Sequence, residues 1–491
     1  MSSIRPRLEC LTTGSAALDR ILGGGLPIRS VNVIAGEPGA GKTLFALQML
    51  FHLARQGKKC LYFTTLSEPA VKLISYMQQL SFFDEALIGG NIVIADLGSV
   101  LRTQGSDATL KTITDRVERE QPAVVVIDSF KALREILGYS SVVRTFVYDL
   151  AVHAASWGAT SLFVGEYTEA EIGSFSEFAI ADGIIRFTNR RHELTTVREV
   201  EVLKIRGAEY VAGCHFFEIG VDGLTFFPRV RSPILAPAEA SSPAERVSTG
   251  VPGLDALLGG GLPRASATVI QGGTGTGKTL LGLQFLVDGA RHGEAGIHFT
   301  LEETADQVRG MAASFGWDFP DLERRRLLTI SYISPVELST DTFLDRARQQ
   351  VGDRGARRAV LDSLTSLAFG APSDRRYKEL VYSLTKHFRA LGTTLNLNME
   401  TPELLGTAQL SGYGISFAAD NVIQLKYVEV EGRLDRGVSV LKARGVRHAT
   451  DVRQFTIGPT GLEVGSPFKG RRGVLTGLAP SGSNDDDSAL A

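Results

Sequence analysis

Gly36-Glu37-Pro38-Gly39-Ala40-Gly41-Lys42-Thr43 is one of two matching stretches that decide the fold, and Gly272-Gly273-Thr274-Gly275-Thr276-Gly277-Lys278-Thr279 is the other. Each has the pattern of a phosphate-binding loop, a glycine followed by four residues and Gly-Lys-Thr. An apolar, β-rich run precedes each stretch, and a helical pattern of apolar residues follows it. A Gly-rich turn that binds nothing is the alternative, but recurrence in the same strand–loop–helix setting favours two phosphate-binding loops.

The residue types in both loops match the chemistry of a nucleoside triphosphate. Glycines let the backbone curve around an anion, and the helix that begins there adds its positive end. Lys42 and Lys278 would contact the β- and γ-phosphates, and the hydroxyls of Thr43 and Thr279 would bind Mg²⁺. The predicted nucleotide contacts are Gly36, Gly39, Ala40, Gly41, Lys42, Thr43 and Leu44 in the first copy, and Gly272, Thr274, Gly275, Thr276, Gly277, Lys278, Thr279 and Leu280 in the second.

Length and composition indicate a globular protein of more than one domain. The chain has 491 residues, of which 43% are hydrophobic and 22% charged, and its net charge is −2. So small a net charge gives no general attraction to nucleic acid or to an anionic membrane. Cys10, Cys60 and Cys214 are widely spaced and form no metal-binding pattern. Because the sequence also lacks an export signal and a long apolar run, we expect a cytoplasmic protein with no membrane segment.

The chain is an internal duplication. Thr13-Gly14 and the segment Leu22–Pro27 recur, at the same offset as the two loops, as Thr249-Gly250 and Leu258–Pro263. Within each half, apolar β-branched runs alternate with amphipathic helical stretches, so we expect two tandem α/β domains, each a mostly parallel twisted sheet flanked by helices. The predicted boundaries are an N-terminal domain at 8–234, a linker rich in Pro, Ala and Ser at 235–245, a C-terminal domain at 246–468 and a disordered tail at 469–491.

A second acidic group follows a buried strand in each half. Asp128 ends the run Val124–Ile127, and Asp362 ends the run Ala359–Leu361. A carboxylate at this point, together with the threonine of the phosphate loop, is the usual pair of protein ligands for Mg²⁺. The alternative is an aspartate that caps the next helix.

Adjacent carboxylates follow the second strand of the second half. Glu302 and Glu303 come directly after Phe299-Thr300-Leu301, at the strand end where open α/β sheets bind ligands. One of them can orient or deprotonate an attacking water or hydroxyl. The first half offers only Glu68, which aligns after a one-residue shift and is equally well explained as a solvated loop or helix-starting residue.

Two cations recur near the end of each half, in Lys204-Ile205-Arg206-Gly207 and Lys442-Ala443-Arg444-Gly445. Alternation along a strand would place the lysine and arginine on one face. Far along the chain from the phosphate loop, such a pair suits the phosphates of a neighbouring subunit. The alternative is a solvated basic edge that discourages strand pairing.

Together these motifs resemble the KaiC family of duplicated RecA-like ATPases of circadian clocks, over roughly residues 8–465. The resemblance implies two tandem RecA-like domains and a double-ringed homohexamer, with ATP and Mg²⁺ at subunit interfaces in both rings. It implies a slow ATPase in the N-terminal ring, and serine/threonine autokinase and autophosphatase activity in the C-terminal ring. It also implies that Glu302 is the general base for phosphotransfer and that Phe315 packs near the adenine. The residues that it places at the interface with a neighbouring nucleotide are Arg198, Lys204, Arg206, Arg436, Lys442 and Arg444.

The sequence departs from the family pattern at two points that bear on function. The phosphorylated Ser-Thr pair of the family corresponds to Ser416-Phe417, so Ser416 is the candidate phosphoacceptor, while Ser411 or no acceptor also fits. Ser67 stands where the first half of the family has a carboxylate. KaiB-like or response-regulator partners follow from the resemblance alone.

The residues leave three functions open. The first is a hexameric, ATP-driven signalling or timing switch, the second a RecA- or DnaB-like DNA-dependent ATPase, and the third an ATP-binding scaffold without significant turnover. A DNA motor needs a basic channel loop, whereas residues 168–178 are acidic and residues 401–414 contain no lysine or arginine. The sequence therefore argues against a nucleic-acid partner.

Overall fold

The computed structural model consists of two compact units, residues 1–229 and 230–491. The residues that the structure describes are 8–65, 70–138, 140–192, 195–229, 245–334, 340–371, 373–401, 417–430 and 433–468. The predicted linker and tail lie almost entirely outside these ranges, so the domain boundaries stay a prediction.

A mixed sheet forms the centre of the first unit. Its described strands are β3 (Val31–Gly36), β4 (Cys60–Thr64), β5 (Ile92–Asp96), β6 (Val124–Asp128), β7 (Thr160–Glu166), β8 (Gly183–His192), β9 (Thr195–Ile205), β10 (Cys214–Gly220) and β11 (Gly223–Phe227). A separate two-stranded ribbon is formed by β1 (Cys10–Leu11) and β2 (Leu26–Pro27). The strand order is β11-β10-β9-β8-β3-β7-β6-β4-β5. The six strands from β8 to β5 in this order run parallel, and β9, β10 and β11 are added antiparallel.

Helices cover both faces of this sheet. They are α1 (Ala16–Ile21), α2 (Lys42–Arg55), α3 (Ala70–Met77), α4 (Gly98–Glu120), α5 (Phe130–Leu137), α6 (Ser140–Ser156), α7 (Glu169–Ile172) and α8 (Ser176–Ile180), with a 3₁₀ turn at Glu85–Leu87. Alternate residues of β3 divide between two buried clusters, since Ile34 packs with α2 and Val33 packs with α4, α5 and α6. Burial on both faces explains why the parallel strands read as continuous apolar runs.

The second unit repeats this architecture. Its described strands are β12 (Arg246–Val247), β13 (Leu262–Pro263), β14 (Ala267–Gly272), β15 (Gly296–Thr300), β16 (Leu328–Tyr332), β17 (Arg358–Asp362), β18 (Thr394–Glu400), β19 (Asn421–Val430), β20 (Arg433–Ala443), β21 (Arg453–Gly458) and β22 (Gly461–Pro467). The sheet order is β22-β21-β20-β19-β14-β18-β17-β15-β16, which matches the order of the first unit strand by strand. The helices are α9 (Pro252–Leu257), α10 (Lys278–Arg291), α11 (Ala305–Ser314), α12 (Phe319–Arg324), α13 (Thr340–Arg354), α14 (Leu364–Phe369) and α15 (Asp374–Ala390).

The repeated Thr-Gly pair ahead of each sheet has a structural reason. Thr13 donates from its backbone N–H and its hydroxyl to Oδ1 of Asp19, at 2.8 Å in both cases. Thr249 does the same to Asp255, at 2.8 and 2.7 Å. These bonds fix the turn before the first helix of each unit, so this part of the repeat is explained by folding.

The predicted fold class, two tandem α/β domains with mostly parallel sheets flanked by helices, is confirmed. The antiparallel hairpins β10–β11 and β21–β22 were not predicted, because their short runs carry no strong alternation. In the part of the chain that the structure describes, no helix is long and apolar enough to cross a bilayer.

Candidate nucleotide-binding and catalytic sites

Each predicted phosphate loop joins a central parallel strand to a long helix, β3 to α2 and β14 to α10. The residues before the helices, Gly41 and Gly277, have φ of 91° and 100°, where a side chain would be strained. A Cβ on Gly41 would also lie 3.2 Å from Cδ1 of Ile219. The loop glycines are therefore needed by the backbone that turns N–H groups toward an anion.

The loop lysines fold back onto the backbone of their own loops. Nζ of Lys42 donates to the carbonyl of Glu37 at 2.7 Å, and Nζ of Lys278 donates to the carbonyls of Gly272 and Gly273 at 3.0 Å each. Both side chains are buried, and this burial lowers the pKa of each lysine, against the opposing effect of nearby carboxylates. Phosphate oxygens could replace these carbonyls as acceptors, since each ammonium lies at the loop that would hold them.

The loop threonines and the strand-end aspartates meet in both domains. Oγ1 of Thr43 donates to Oδ2 of Asp128 at 2.7 Å, and Oγ1 of Thr279 donates to Oδ2 of Asp362 at 2.6 Å. A hydroxyl and a carboxylate are hard oxygen donors of the kind that Mg²⁺ prefers, so the residue pair fits that ion.

The structure does not support the alternative that Asp128 and Asp362 cap the helices that follow them. The N-cap of α5 is Ser129 and that of α14 is Ser363, whose hydroxyls accept from backbone N–H groups. Asp128 is half-buried and also accepts from the hydroxyl of Tyr62 at 2.8 Å. Desolvation raises the pKa of Asp128, and the bonds from Thr43 and Tyr62 offset only part of this rise.

Glu302 is held by two serines that follow the strand-end aspartate. Its Oε1 accepts from Oγ of Ser363 at 2.7 Å and from Oγ of Ser366 in a short contact. The two hydroxyls lie 3.1 Å apart at the start of α14. Glu302 is also close enough to Lys278 to raise the pKa of that lysine. The carboxylate is therefore oriented at the edge of the sheet where the phosphate loop begins.

Glu303 is fixed through its backbone. The hydroxyl of Thr300 donates to the Glu303 carbonyl at 2.7 Å and accepts from its N–H at 3.1 Å. Desolvation raises the pKa of the Glu303 carboxyl, and the charges of Asp362 and Glu302 add to the rise. Of the two predicted carboxylates, only Glu302 is tied by its side chain. The predicted counterpart in the first domain, Glu68, lies outside the described residues.

A third carboxylate approaches the second loop. Oε1 of Glu400, at the end of β18, lies 3.8 Å from Nζ of Lys278 and accepts from the hydroxyl of Thr274 at 3.4 Å. In the first domain, the charge of Glu166 at the end of β7 partly offsets the lowering of the Lys42 pKa by burial. Both glutamates therefore lie near the lysine that is predicted to contact the γ-phosphate.

A cavity of about 620 Å³ opens beside the first loop. Its wall includes the polar residues Lys42, Thr43 and Asp128 and a set of apolar residues. The apolar wall comes from α2, α3 and the turn after α3, through Leu44, Leu47, Leu73, Tyr76, Met77 and Leu80. The first domain thus has open space of ligand size in direct contact with the predicted phosphate and Mg²⁺ residues.

The six cations predicted at the interface lie at opposite ends of the strands, four at one end and two at the other. Lys442 pairs with Val422 and Arg444 follows the end of β20, whereas the phosphate loop begins at Gly272, opposite Leu425. Lys442 and Arg444 are therefore roughly 10 and 16 Å along the strands from their own loop. Lys204 and Arg206 are placed in the same way in the first domain, where Lys204 pairs with Ile184 and the loop begins opposite Phe187.

Arg436 and Arg198 lie at the opposite end of the hairpins, beside their own loops. Arg436 pairs with Tyr427, whose ring it covers at 5.4 Å and whose hydroxyl donates to the Gly275 carbonyl at 2.8 Å. Arg198 pairs with Asn189, whose Nδ2 would lie 3.9 Å from a Cβ on Gly39. The structure thus separates these two arginines from the other four cations.

β9 ends at Ile205, and Arg206 follows it directly. Arg206 forms an ion pair of 3.2 Å with Asp182. Lys204 and Arg206 are close together, since the charge of Arg206 adds to desolvation in lowering the pKa of Lys204.

The remaining predicted residues are Phe315 and Ser416. Phe315 ends α11 and packs against Trp317, with ring centroids 5.4 Å apart, in the apolar cluster that includes α10. Its contact with adenine stays a prediction. Ser416 lies outside the described residues.

Comparison with known proteins decides the family. The family model for the KaiC ATPase matches residues 11–231 and again residues 247–469. The chain belongs to the KaiC ATPase family. The two matches cover both domains, so each site described above is a site of a KaiC-type domain.

Curated KaiC relatives match over nearly the whole chain. A circadian clock oscillator protein KaiC of Thermostichus vulcanus is 30% identical over 484 residues, which are 96% of this chain and 92% of the relative. KaiC 1 of Synechocystis sp. is 28% identical and covers 99% of this chain and 95% of its own length. The circadian clock protein KaiC3 of the same genus is 29% identical over 96% of this chain and 94% of its own length.

Several side chains of these KaiC-type sites were not predicted. Tyr62 bonds Asp128 across neighbouring strands, and Ser366 joins Ser363 in holding Glu302. A serine directly follows the strand-end aspartate in both halves, and this repeated Asp-Ser pair could have indicated Ser129 and Ser363. Ser366 had no such signal, because its place beside Glu302 depends on how α14 begins.

Proposed function

We propose that both domains bind Mg-ATP and hydrolyse it, and that the protein acts as a ring-shaped, ATP-driven switch. The observation that carries this proposal is the hydrogen bond between loop threonine and strand-end aspartate, which has the same geometry in both domains. Two independent sites with the same lysine, threonine and aspartate constellation are hard to explain by folding alone.

In the second domain, the residues divide the work of phosphoryl transfer. Mg²⁺ bound to Thr279 and Asp362 would neutralise charge on the β- and γ-phosphates. Nζ of Lys278 would leave its loop carbonyls for the phosphate oxygens. Glu302, oriented by Ser363 and Ser366, would take the proton of the attacking water while the bond between the γ-phosphorus and the bridging oxygen breaks. The products are ADP and inorganic phosphate.

Assembly would complete each site. Lys204 and Arg206, and likewise Lys442 and Arg444, lie at the strand ends away from their own loop, which supports the proposal that they contact the nucleotide of a neighbouring subunit. A ring in which each subunit presents one edge to its neighbour's loop would close after a fixed number of copies. We propose the homohexamer that the family resemblance implies.

The finer activities of the clock relatives come to this chain as proposals only. Glu302 as base could also deprotonate a serine hydroxyl, so we propose serine autokinase activity in the second ring with Ser416 as acceptor. KaiB-like or response-regulator proteins are the proposed partners of such a switch, and a role in a timing system follows from the names of the relatives.

Phosphate release and native mass test the proposal together. Lys278→Ala should remove the second-domain share of ATP hydrolysis and all autophosphorylation while the nucleotide-dependent oligomer persists. Lys42→Ala should weaken the oligomer. If Lys42→Ala leaves the oligomer intact and removes phosphorylation, the two rings have the opposite roles.

The competing functions give different results in the same assays. A DNA-dependent ATPase would show salt-dependent binding of single-stranded DNA and a faster phosphate release with it. A scaffold without turnover would release no phosphate. Hydrolysis that is unaffected by DNA and lost in Glu302→Gln/Glu68→Gln would support the switch.

A further inference from the structure

A cluster of buried polar side chains lies on the sheet of the second domain, on the face away from α10. It consists of Lys426 and Gln424 on β19, Gln271 on β14 and Ser439 on β20. Gln424 is paired in register with both Gln271 and Ser439, and Lys426 follows two residues later on the same face. Because paired residues have Cβ atoms about 5 Å apart, these side chains are neighbours.

The ammonium of Lys426 is buried in this cluster. Lys426 is 8% exposed, Gln271 1% and Ser439 4%. Within the described residues, Nζ of Lys426, Nε2 of Gln271 and Oγ of Ser439 have no hydrogen-bond partner. Desolvation lowers the pKa of Lys426 to about 8, so the amine is mostly protonated at neutral pH. A buried cation without an anion is costly, which makes the cluster incomplete as it stands.

The first domain shows a completed version of this place. By the shared register, Arg186 and Glu201 stand where Gln424 and Ser439 stand in the second domain. Arg186 forms ion pairs with Glu201 at 2.6 Å and with Glu169 at 3.3 Å. The second domain has its cation two residues further along the strand, at Lys426, and has an uncharged serine in place of the strand carboxylate.

We infer that Lys426, Gln271 and Ser439 form a binding site for a small tetrahedral oxyanion of the phosphate class. The three groups supply an ammonium, an amide N–H and a hydroxyl, all of which can donate to anion oxygens. In the first domain, a strand carboxylate balances the cation. The second domain lacks that carboxylate, so the charge of the Lys426 ammonium is left for a bound anion to balance. A monovalent or divalent oxyanion therefore completes both the hydrogen bonds and the charge.

The position of the cluster separates it from the nucleotide. Lys426 and Gln424 are each 8% exposed, but Nζ of Lys426 itself is closed to solvent, so an anion enters only when the surrounding side chains move. Gln271 directly precedes Gly272, where the phosphate loop begins, but its side chain points to the opposite face of the sheet from α10. The site is thus at the same edge as the nucleotide and distinct from it, and it does not depend on hydrolysis.

Equilibrium dialysis with labelled inorganic phosphate tests the site. Saturating Mg²⁺ and a non-hydrolysable ATP analogue occupy both phosphate loops during the measurement. We expect one further phosphate per chain, with affinity at least tenfold weaker in Lys426→Gln. Ser439→Glu would supply the carboxylate that the first domain has, and it should abolish phosphate binding while raising the Tm. Lys378→Gln, which removes an exposed lysine of α15, controls for net charge.

Competition identifies the chemical class of the ligand. Sulfate should displace the labelled phosphate, and acetate at the same concentration should not. The inference is overturned if the wild-type protein binds no phosphate under these conditions, or if acetate displaces it as well as sulfate does. Undiminished binding in Ser439→Glu overturns it too, and this variant decides the question if Lys426→Gln fails to fold.

Discussion

Oγ of Ser363 donates a 2.7 Å hydrogen bond to Oε1 of Glu302, although the two residues belong to different strand-ends of the sheet. Ser363 directly follows Asp362, so one short segment positions both the proposed metal ligand and the proposed base. Ser366, one turn further along α14, contacts the same carboxylate oxygen. The orientation of Glu302 is therefore coupled to the start of α14.

Removing Ser366 should slow the second domain without weakening nucleotide binding. In Ser366→Ala, Glu302 keeps only the bond from Ser363, and the loss of one hydrogen bond worth about 1 kcal/mol corresponds to about fivefold in kcat. The rate is measured as steady-state phosphate release after subtracting that of Lys278→Ala, and KM should not change. The first domain has Ala132 at the equivalent position, so Ala132→Ser serves as the control. A rise in KM at constant kcat would contradict the positioning role.

The buried carboxylate of Asp128 should cost the nucleotide-free protein stability. Its pKa is raised, chiefly by desolvation, so the folded state binds a proton more readily than the unfolded state does. Stability from this group is therefore present at low pH and is lost as pH rises through the folded pKa. Asp128→Asn should raise the Tm of the first domain at neutral pH by roughly 2–4 °C, which corresponds to about 1 kcal/mol.

The gain in Tm from Asp128→Asn should vanish in acid, because the wild-type carboxyl is then protonated and, like the asparagine amide, carries no charge. Calorimetry at neutral pH and near pH 3.8, where an aspartate ordinarily titrates, gives both values. The same substitution should abolish the Mg²⁺-dependent part of the stabilisation by ATP. Asp115→Asn, at an exposed position of α4, controls for net charge. A lower Tm at neutral pH would mean that the carboxylate is a net stabiliser.

The sequence predicted what depends on local pattern. The phosphate loops were recognisable because a glycine backbone, a lysine and a threonine must occur at fixed spacing, and Asp128 and Asp362 because a carboxylate at the end of an apolar strand is conspicuous. The family resemblance then supplied Glu302 as the base.

What the sequence did not predict depends on register and on where elements end. Tyr62 reaches Asp128 only because β4 and β6 are neighbours in a particular register. Arg206 pairs with Asp182 only because β9 ends beside the start of β8. The sequence alone does not distinguish Lys426 from other strand lysines. Only the strand pairing shows that its neighbours are uncharged.

Lys426 should make stability depend on pH in the alkaline range. Desolvation lowers its pKa from 10.5 to about 8, and the side chains beside it carry no charge, namely Gln424 on the same strand and Gln271 and Ser439 on the two neighbouring strands. Between these two pH values the unfolded state binds more protons than the folded state, so the stability of the wild type rises with pH. Lys426→Met should be the more stable protein below pH 8, and its advantage should shrink toward pH 10.5.

Denaturant unfolding from pH 7 to pH 10 in a buffer free of phosphate and sulfate measures this difference. Lys378→Met, at an exposed position of α15, provides the comparison for loss of a surface lysine. An advantage of Lys426→Met that stays constant over the whole range would show that the amine does not titrate in that window.

Mixed oligomers should reveal whether Lys442 acts on the nucleotide of a neighbour. Lys442→Ala subunits keep an intact phosphate loop, and Lys278→Ala subunits keep an intact Lys442. Because Lys442 lies at the sheet edge away from its own loop, an interface that joins the intact loop of one to the intact cation of the other should be active. Random mixing in equal amounts makes about a quarter of ring interfaces complete, so about a quarter of second-domain activity should return. The Lys278→Ala/Lys442→Ala double variant, mixed with wild type in the same ratio, controls for subunit exchange. No recovery in a mixture that native mass spectrometry shows to be exchanged would mean that Lys442 does not act between subunits.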